Sequence, residues 1–128
     1  NVLCIGSKND EDIGMGIGSL NNLRSNESFI NLTGKTSLQD AIDILAFTEK
    51  VVTNDSGLMH ISAAVKTPLV ALYGPSSPEY TPPLISKKKI LRKTQGYEKV
   101  RYGSNEKGYH QSLLDIKPEE VLNALEEL

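Results

Sequence analysis

The segment Val51-Val52-Thr53-Asn54-Asp55-Ser56-Gly57-Leu58-Met59-His60 gathers residue types that could hold a charged ligand. An apolar strand ends at Thr53, small polar residues follow, and a helix begins around Gly57. The first N–H groups of a helix have no partner within it, and the positive end of its dipole points outward. A phosphate or pyrophosphate fits there. Gly57 has no side chain to block close approach of that ligand. Ser56 adds a hydroxyl donor, and His60 falls one turn into the helix, near the same mouth. Asp55 would repel a phosphate it faced, so it caps the helix or accepts hydrogen bonds from sugar hydroxyls. An ordinary capped helix, with His60 a plain helix residue, fits the same spacing.

Turns after other strands offer further candidates. Gly6-Ser7-Lys8-Asn9-Asp10-Glu11-Asp12 follows the first strand, where an acidic residue such as Asp10 can hold ribose hydroxyls. A solvated acidic helix start explains the same residues. Thr33-Gly34-Lys35-Thr36 is a small turn that could pass over a flat base, or a simple loop to the next helix. Gly14-Met15-Gly16-Ile17-Gly18 lacks the strand directly before it that a dinucleotide fingerprint needs. The chain's two histidines, His60 and His110, and its single cysteine, Cys4, show no metal-ligand spacing. Neither a metal nor a cofactor is expected.

The elements that position these turns alternate between strand and helix. Val2 to Ile5, Phe29 to Leu32, Lys50 to Thr53, Pro68 to Tyr73 and Lys89 to Leu91 read as strands. The first is a short apolar run that suits a buried parallel strand. A glycine-weakened helix is expected between Asn9 and Leu23. Ser37 caps an amphipathic helix carrying Leu38, Ala41, Ile42, Leu45 and Ala46. Asp55 or Ser56 caps the next, which runs to about Val65. Gly74-Pro75-Ser76-Ser77-Pro78 is a loop by composition, and Thr94 to Gln111 has no convincing period. Pro118 opens a last helix with Val121, Leu122 and Leu125 inward. Such alternation implies an α/β fold, a Rossmann-like parallel sheet with helices on both faces. Ligands in such sheets bind beyond the carboxyl ends of the strands.

Composition adds bounds. The 128 residues suffice for one domain with a modest core, and 38% hydrophobic with 23% charged residues is ordinary for a globular chain. A net charge of -2 gives no sign of a nucleic-acid partner, and Lys87-Lys88-Lys89 reads as a solvated turn. One cysteine suits a reducing, cytoplasmic compartment. No apolar run reaches the roughly 18 residues of a membrane span. Asn1 begins directly on the first strand pattern, so upstream sequence is expected.

Val52-Thr53-Asn54-Asp55-Ser56-Gly57-Leu58-Met59-His60, with Pro68-Leu69-Val70-Ala71-Leu72-Tyr73-Gly74-Pro75-Ser76-Ser77-Pro78, resembles the ADP-heptose:lipopolysaccharide heptosyltransferases. Gly96-Tyr97, Lys99-Val100-Arg101 and Gly108-Tyr109-His110-Gln111-Ser112-Leu113 resemble the branch that adds the second inner-core heptose. The resemblance implies the GT-B arrangement of two Rossmann-like domains, with residues 1–128 as the carboxyl-terminal, ADP-heptose-binding one. The amino-terminal acceptor domain, with the catalytic aspartate, would lie outside this sequence. By motif position Asp55 would contact the heptose, and Ser56, Gly57 and Leu58 the diphosphate, with His60 beside them. Asp10 falls at the ribose-binding acid and Thr36 next to adenine.

The implied partners are ADP-heptose, a lipopolysaccharide core acceptor and the missing domain. The implied place is the cytoplasm of a Gram-negative bacterium, at the inner face of the inner membrane. Two alternatives remain. One is another GT-B sugar-nucleotide enzyme, an epimerase or a transferase with a different donor. The other is a receiver domain of a signalling system, although a receiver needs clustered acids directly after its first strand, where Gly6-Ser7 stands.

Overall fold

The computed structural model describes residues 1–20, 28–96 and 108–128. They form two compact units, Asn1–Asp43 and Ile44–Leu128. In the first, β1 (Val2–Cys4) and β2 (Phe29–Asn31) pair in parallel, from Val2 opposite Phe29 to Cys4 opposite Asn31. A 3-10 turn at Lys8–Asp10 leads into α1 (Glu11–Ser19). Then α2 (Leu38–Phe47) starts on Ser37, and the boundary between the units falls within it, after Asp43. The Ser37 hydroxyl accepts the Asp40 N–H at 3.1 Å, while the Ser37 N–H and hydroxyl donate to Asp40 Oδ2 at 2.8 and 2.7 Å. The expected cap is therefore present as a reciprocal box, and these bonds hold the Asp40 carboxyl below its ordinary range.

The second unit holds β3 (Val51–Asn54), α3 (Gly57–Ala64), β4 (Leu69–Tyr73), β5 (Lys88–Arg92), α4 (Gln111–Leu114) and α5 (Pro118–Glu126). Its strands are parallel in the order β3-β4-β5. Central β4 is almost wholly buried, as its unbroken apolar run requires. Leu69, Ala71 and Tyr73 of β4 pack with Met59 and Ala63 of α3, with Val51 and Ile85 against them. That packing fixes α3 on the sheet. The helix ends at Ala64 with Val65 as its C-cap, and Lys66 turns the chain at φ 65°, the left-handed conformation that commonly closes helices.

Alternation and parallel pairing follow the sequence expectation, with four differences. Among the described residues the ladders form two sheets rather than one. Strand β1 is half-exposed instead of buried, with Val2 and Leu3 open to solvent. Leu38 and Leu122 are exposed although their apolar character suggested the core. In α5 the inward stripe is Val121, Ala124 and Leu125, at positions i, i+3 and i+4, and Leu122 falls off it. The fourth is α4, a short helix where no period was visible. His110 caps it, its Nδ1 accepting the Ser112 N–H at 3.3 Å, and Leu113 fills the space over Gly74. The first helix spans Glu11–Ser19 with Leu20 as its C-cap, inside the expected stretch from Asn9 to Leu23 and short of its end, which lies outside the described residues.

The glycines of α1 differ in their surroundings. A Cβ on Gly14 would come within 2.5 Å of Asn31 Oδ1, the atom that accepts the Thr33 N–H and hydroxyl. A Cβ on Gly16 would meet nothing within 4 Å. Gly14→Ala should therefore destabilise the protein by about 1–3 kcal/mol, the range for overpacking. Gly16→Ala should stabilise it by about 0.5–1 kcal/mol through helix propensity. Denaturant titration of both variants checks this; equal effects would show that Asn31 does not constrain Gly14.

Candidate functional site

The parallel register of β3 with β4 sets Asn54 opposite Leu72, and the Asp55 N–H donates to the Leu72 carbonyl at 3.2 Å. The chain is thereby held one residue beyond the strand before α3 begins. Ser56 is the N-cap by position, with extended backbone (φ -152°, ψ 172°), but its side chain makes no capping hydrogen bond. The first turn of α3 also contains no acidic residue. By contrast, α1, α2 and α5 carry Glu11 and Asp12, Asp40, and Glu119 and Glu120 in their first turns. Acids there offset the positive end of the dipole. The start of α3 keeps its positive potential, and Gly57 leaves it accessible, since a Cβ there would meet nothing within 4 Å. An anion is the species this geometry favours.

Asp55 does not cap this helix. It is half-buried, and its Oδ2 accepts the Thr81 hydroxyl at 3.0 Å. Thr81 is anchored in turn. The buried Tyr73 hydroxyl donates to the Thr81 carbonyl at 2.5 Å, with Met59 Sδ 3.4 Å away. The Thr81 N–H donates to the Ser77 carbonyl at 3.3 Å. Burial, and then the negative charge of Asp55, push the Tyr73 hydroxyl above its ordinary pKa, against the opposing pull of its bond to Thr81. It stays a proton donor throughout the neutral range. Beside Asp55 lies an open cavity of about 510 Å³, lined by Asp55, Ser76, Ser77, Tyr80 and Thr81.

The structure thus brings Asp55, Ser56, Gly57 and Leu58 together at one strand-to-helix mouth, with His60 exposed on the same helix. Asp10 and Thr36 belong to the first unit, at the turns beyond β1 and β2. There Asp10 Oδ2 accepts both the Ser7 N–H at 2.7 Å and the Ser7 hydroxyl at 2.6 Å, so it already closes a helix start. Thr36 is half-buried between the Gly34 turn and Ser37. Sequence reasoning gave no site role to Ser76, Ser77, Tyr80 or Thr81: it read Gly74 to Pro78 as a loop and as part of the family motif, and made no reading of Tyr80 or Thr81. The signal was available: the segment follows the carboxyl end of a parallel strand, as the other candidate turns do. Of the motif residues, Tyr97, Lys99, Val100 and Arg101 lie outside the described residues. Among those described, no group of three or more His, Cys, Asp or Glu side chains is arranged to hold a metal ion.

Comparison with known proteins places this geometry among relatives. A family model described as glycosyltransferase family 9 (heptosyltransferase) matches residues 1–110. The chain is 53% identical to lipooligosaccharide heptosyltransferase 2 of Haemophilus influenzae, over 99% of its own length and 37% of the relative's. It is 48% identical to lipopolysaccharide heptosyltransferase 2 of Salmonella typhimurium, over 99% of its length and 36% of the relative's. The solved structure of the Escherichia coli ADP-heptose lps heptosyltransferase II superposes with a TM-score of 0.86 at 43% identity, covering 99% of this chain and 35% of that one. The chain therefore spans little more than a third of the length of the relatives it matches. Its fold is the Rossmann-like α/β fold of a GT-B glycosyltransferase, as the sequence implied.

If the mouth of α3 holds a diphosphate, Gly57→Val should abolish ADP binding while leaving the melting temperature within about 2 °C, because the added branches enter open space rather than the core. Thermal melting and calorimetric ADP titration of the variant check this. A folded variant with unchanged affinity would place the phosphate elsewhere.

Proposed function

Because this chain belongs to glycosyltransferase family 9, the heptosyltransferases, we propose that it is the donor-binding part of an enzyme that moves heptose from ADP-heptose to the lipopolysaccharide inner core. The observation that carries this reading is the uncapped, acid-free start of α3 beside a half-buried Asp55. Ser56, Gly57 and Leu58 bind the diphosphate through helix-end N–H groups and the Ser56 hydroxyl. Asp55 would lower affinity if it faced that diphosphate, so it turns to sugar hydroxyls instead. His60 borders the same mouth. Asp10 on the ribose and Thr36 beside adenine are assigned by motif position alone.

In the reaction the acceptor hydroxyl attacks the anomeric carbon of the heptose. Its proton passes to a base, the bond to the diphosphate breaks, and ADP leaves. The relatives extend well beyond the matched length. We assign the acceptor site and the base to an amino-terminal domain outside residues 1–128. What this chain contributes is electrostatic. Fixed helix-end dipoles meet charge that grows on the leaving diphosphate, and they need no reorganisation as it forms. Such stabilisation operates without a metal ion. The partners of the whole enzyme are then ADP-heptose and the lipopolysaccharide acceptor, and its place is the cytoplasmic face of a Gram-negative inner membrane. Among the described residues no helix is long and apolar enough to cross a membrane.

The test is Asp55→Asn in the full-length enzyme. It should leave ADP affinity intact and lower kcat/KM for ADP-heptose by about ten- to a hundredfold, the loss expected for hydrogen bonds to a charged group. Steady-state kinetics with parallel ADP titration measure both. Equal loss of ADP and ADP-heptose binding would give Asp55 a structural role at the turn instead.

A further inference from the structure

The contact between Thr81 and Asp55 joins segments 26 residues apart in the chain. A carboxylate beyond a strand end can swing about two side-chain torsions, and this one is half-buried beside an open cavity. The Thr81 hydroxyl carries one proton. It lies 3.0 Å from Asp55 Oδ2 and 3.3 Å from the Ser77 carbonyl. The bond to the carboxylate is shorter and charge-assisted, so it takes the proton. Thr81 itself cannot drift, because its carbonyl accepts the hydroxyl of Tyr73, a fully buried residue of central β4. One oxygen of Asp55 is therefore tied through Thr81 to the core, which restricts the swing of the carboxylate.

We propose that Thr81 is a positioning residue for the sugar-binding step, acting through Asp55 by holding its Oδ2 and presenting Oδ1 to the sugar hydroxyls. This rests on the donor-site reading above. Removing the hydroxyl frees the carboxylate to rotate, and the sugar must then be bound by a group that is no longer preorganised.

The experiment compares Thr81→Val and Thr81→Ser with the native side chain in the full-length enzyme, each with and without Asp55→Asn. Thr81→Val should lower kcat/KM for the sugar nucleotide by about tenfold with ADP affinity unchanged, as expected for a lost hydrogen bond to a charged group. Thr81→Ser should restore it. In the Asp55→Asn background Thr81→Val should have no further effect, because the two side chains act as one unit. Should Thr81→Val fail to fold, Thr81→Ala takes the same arms of the comparison. Full activity in the hydroxyl-free variant overturns the proposal, as do additive losses in the double variant or equal loss of ADP binding. If Asp55→Asn alone leaves sugar-nucleotide use intact, the donor-site role of Asp55 fails. If it impairs that use while Thr81→Val does not, only the positioning role fails.

Discussion

The parallel ladder between β3 and β4 determines where the first turn of α3 points. Four residue pairs, Val51 with Leu69 through Asn54 with Leu72, lock the register, and Asp55 adds a bond to the Leu72 carbonyl just beyond. A shift of one residue would exchange the faces of β3 and move the helix start off the strand end. Because β4 is buried and packs on Met59 and Ala63, the sheet and α3 form one body. The position of the helix start is thereby set by core packing and strand register. That is what electrostatic stabilisation of a leaving group requires, since dipoles that must first reorient lose much of their effect.

The same core governs the acidic side of the mouth. Tyr73 has its ring in the core and its hydroxyl on the carbonyl of Thr81, so a single β4 residue ties the loop after that strand to Asp55. The Tyr73 hydroxyl is protonated at neutral pH even at its ordinary pKa, and burial and the nearby carboxylate move its titration further up, so this anchor does not loosen across neutral pH. The result is a division of charge at one strand-to-helix turn. The helix start has no side-chain cap and no acid in its first turn, and a held carboxylate, Asp55, stands one residue before the N-cap. A sugar diphosphate carries matching chemistry, with anionic oxygens at one end and hydroxyls at the other.

Much of this was legible in the chain itself, for local reasons. The Ser37 box and the apolar run of β4 are set by neighbouring residues, and periodicity and capping rules read them directly; α3 starts where the strand-to-helix pattern put it, but neither Asp55 nor Ser56 caps it through its side chain. What escaped reading depends on distant contacts. Thr81 matters only because folding carries it across 26 positions to Asp55. The α4 helix is four residues long, too short for a period, and is fixed by a histidine cap and by Leu113 lying over Gly74. Leu122 looked like core because it is leucine, but the stripe that α5 buries runs through Ala124. The exposure of Val2 and Leu3 shows the same limit: an apolar strand pattern does not specify what covers it.

If helix-end N–H groups hold a diphosphate, no metal ion is needed to bind it. Calorimetric titration of ADP into the protein, once with excess chelator and once with magnesium, tests it most directly. Binding that persists in chelator, with a Kd within a fewfold of the value in magnesium, is the result the account predicts. Binding seen only with magnesium would contradict it.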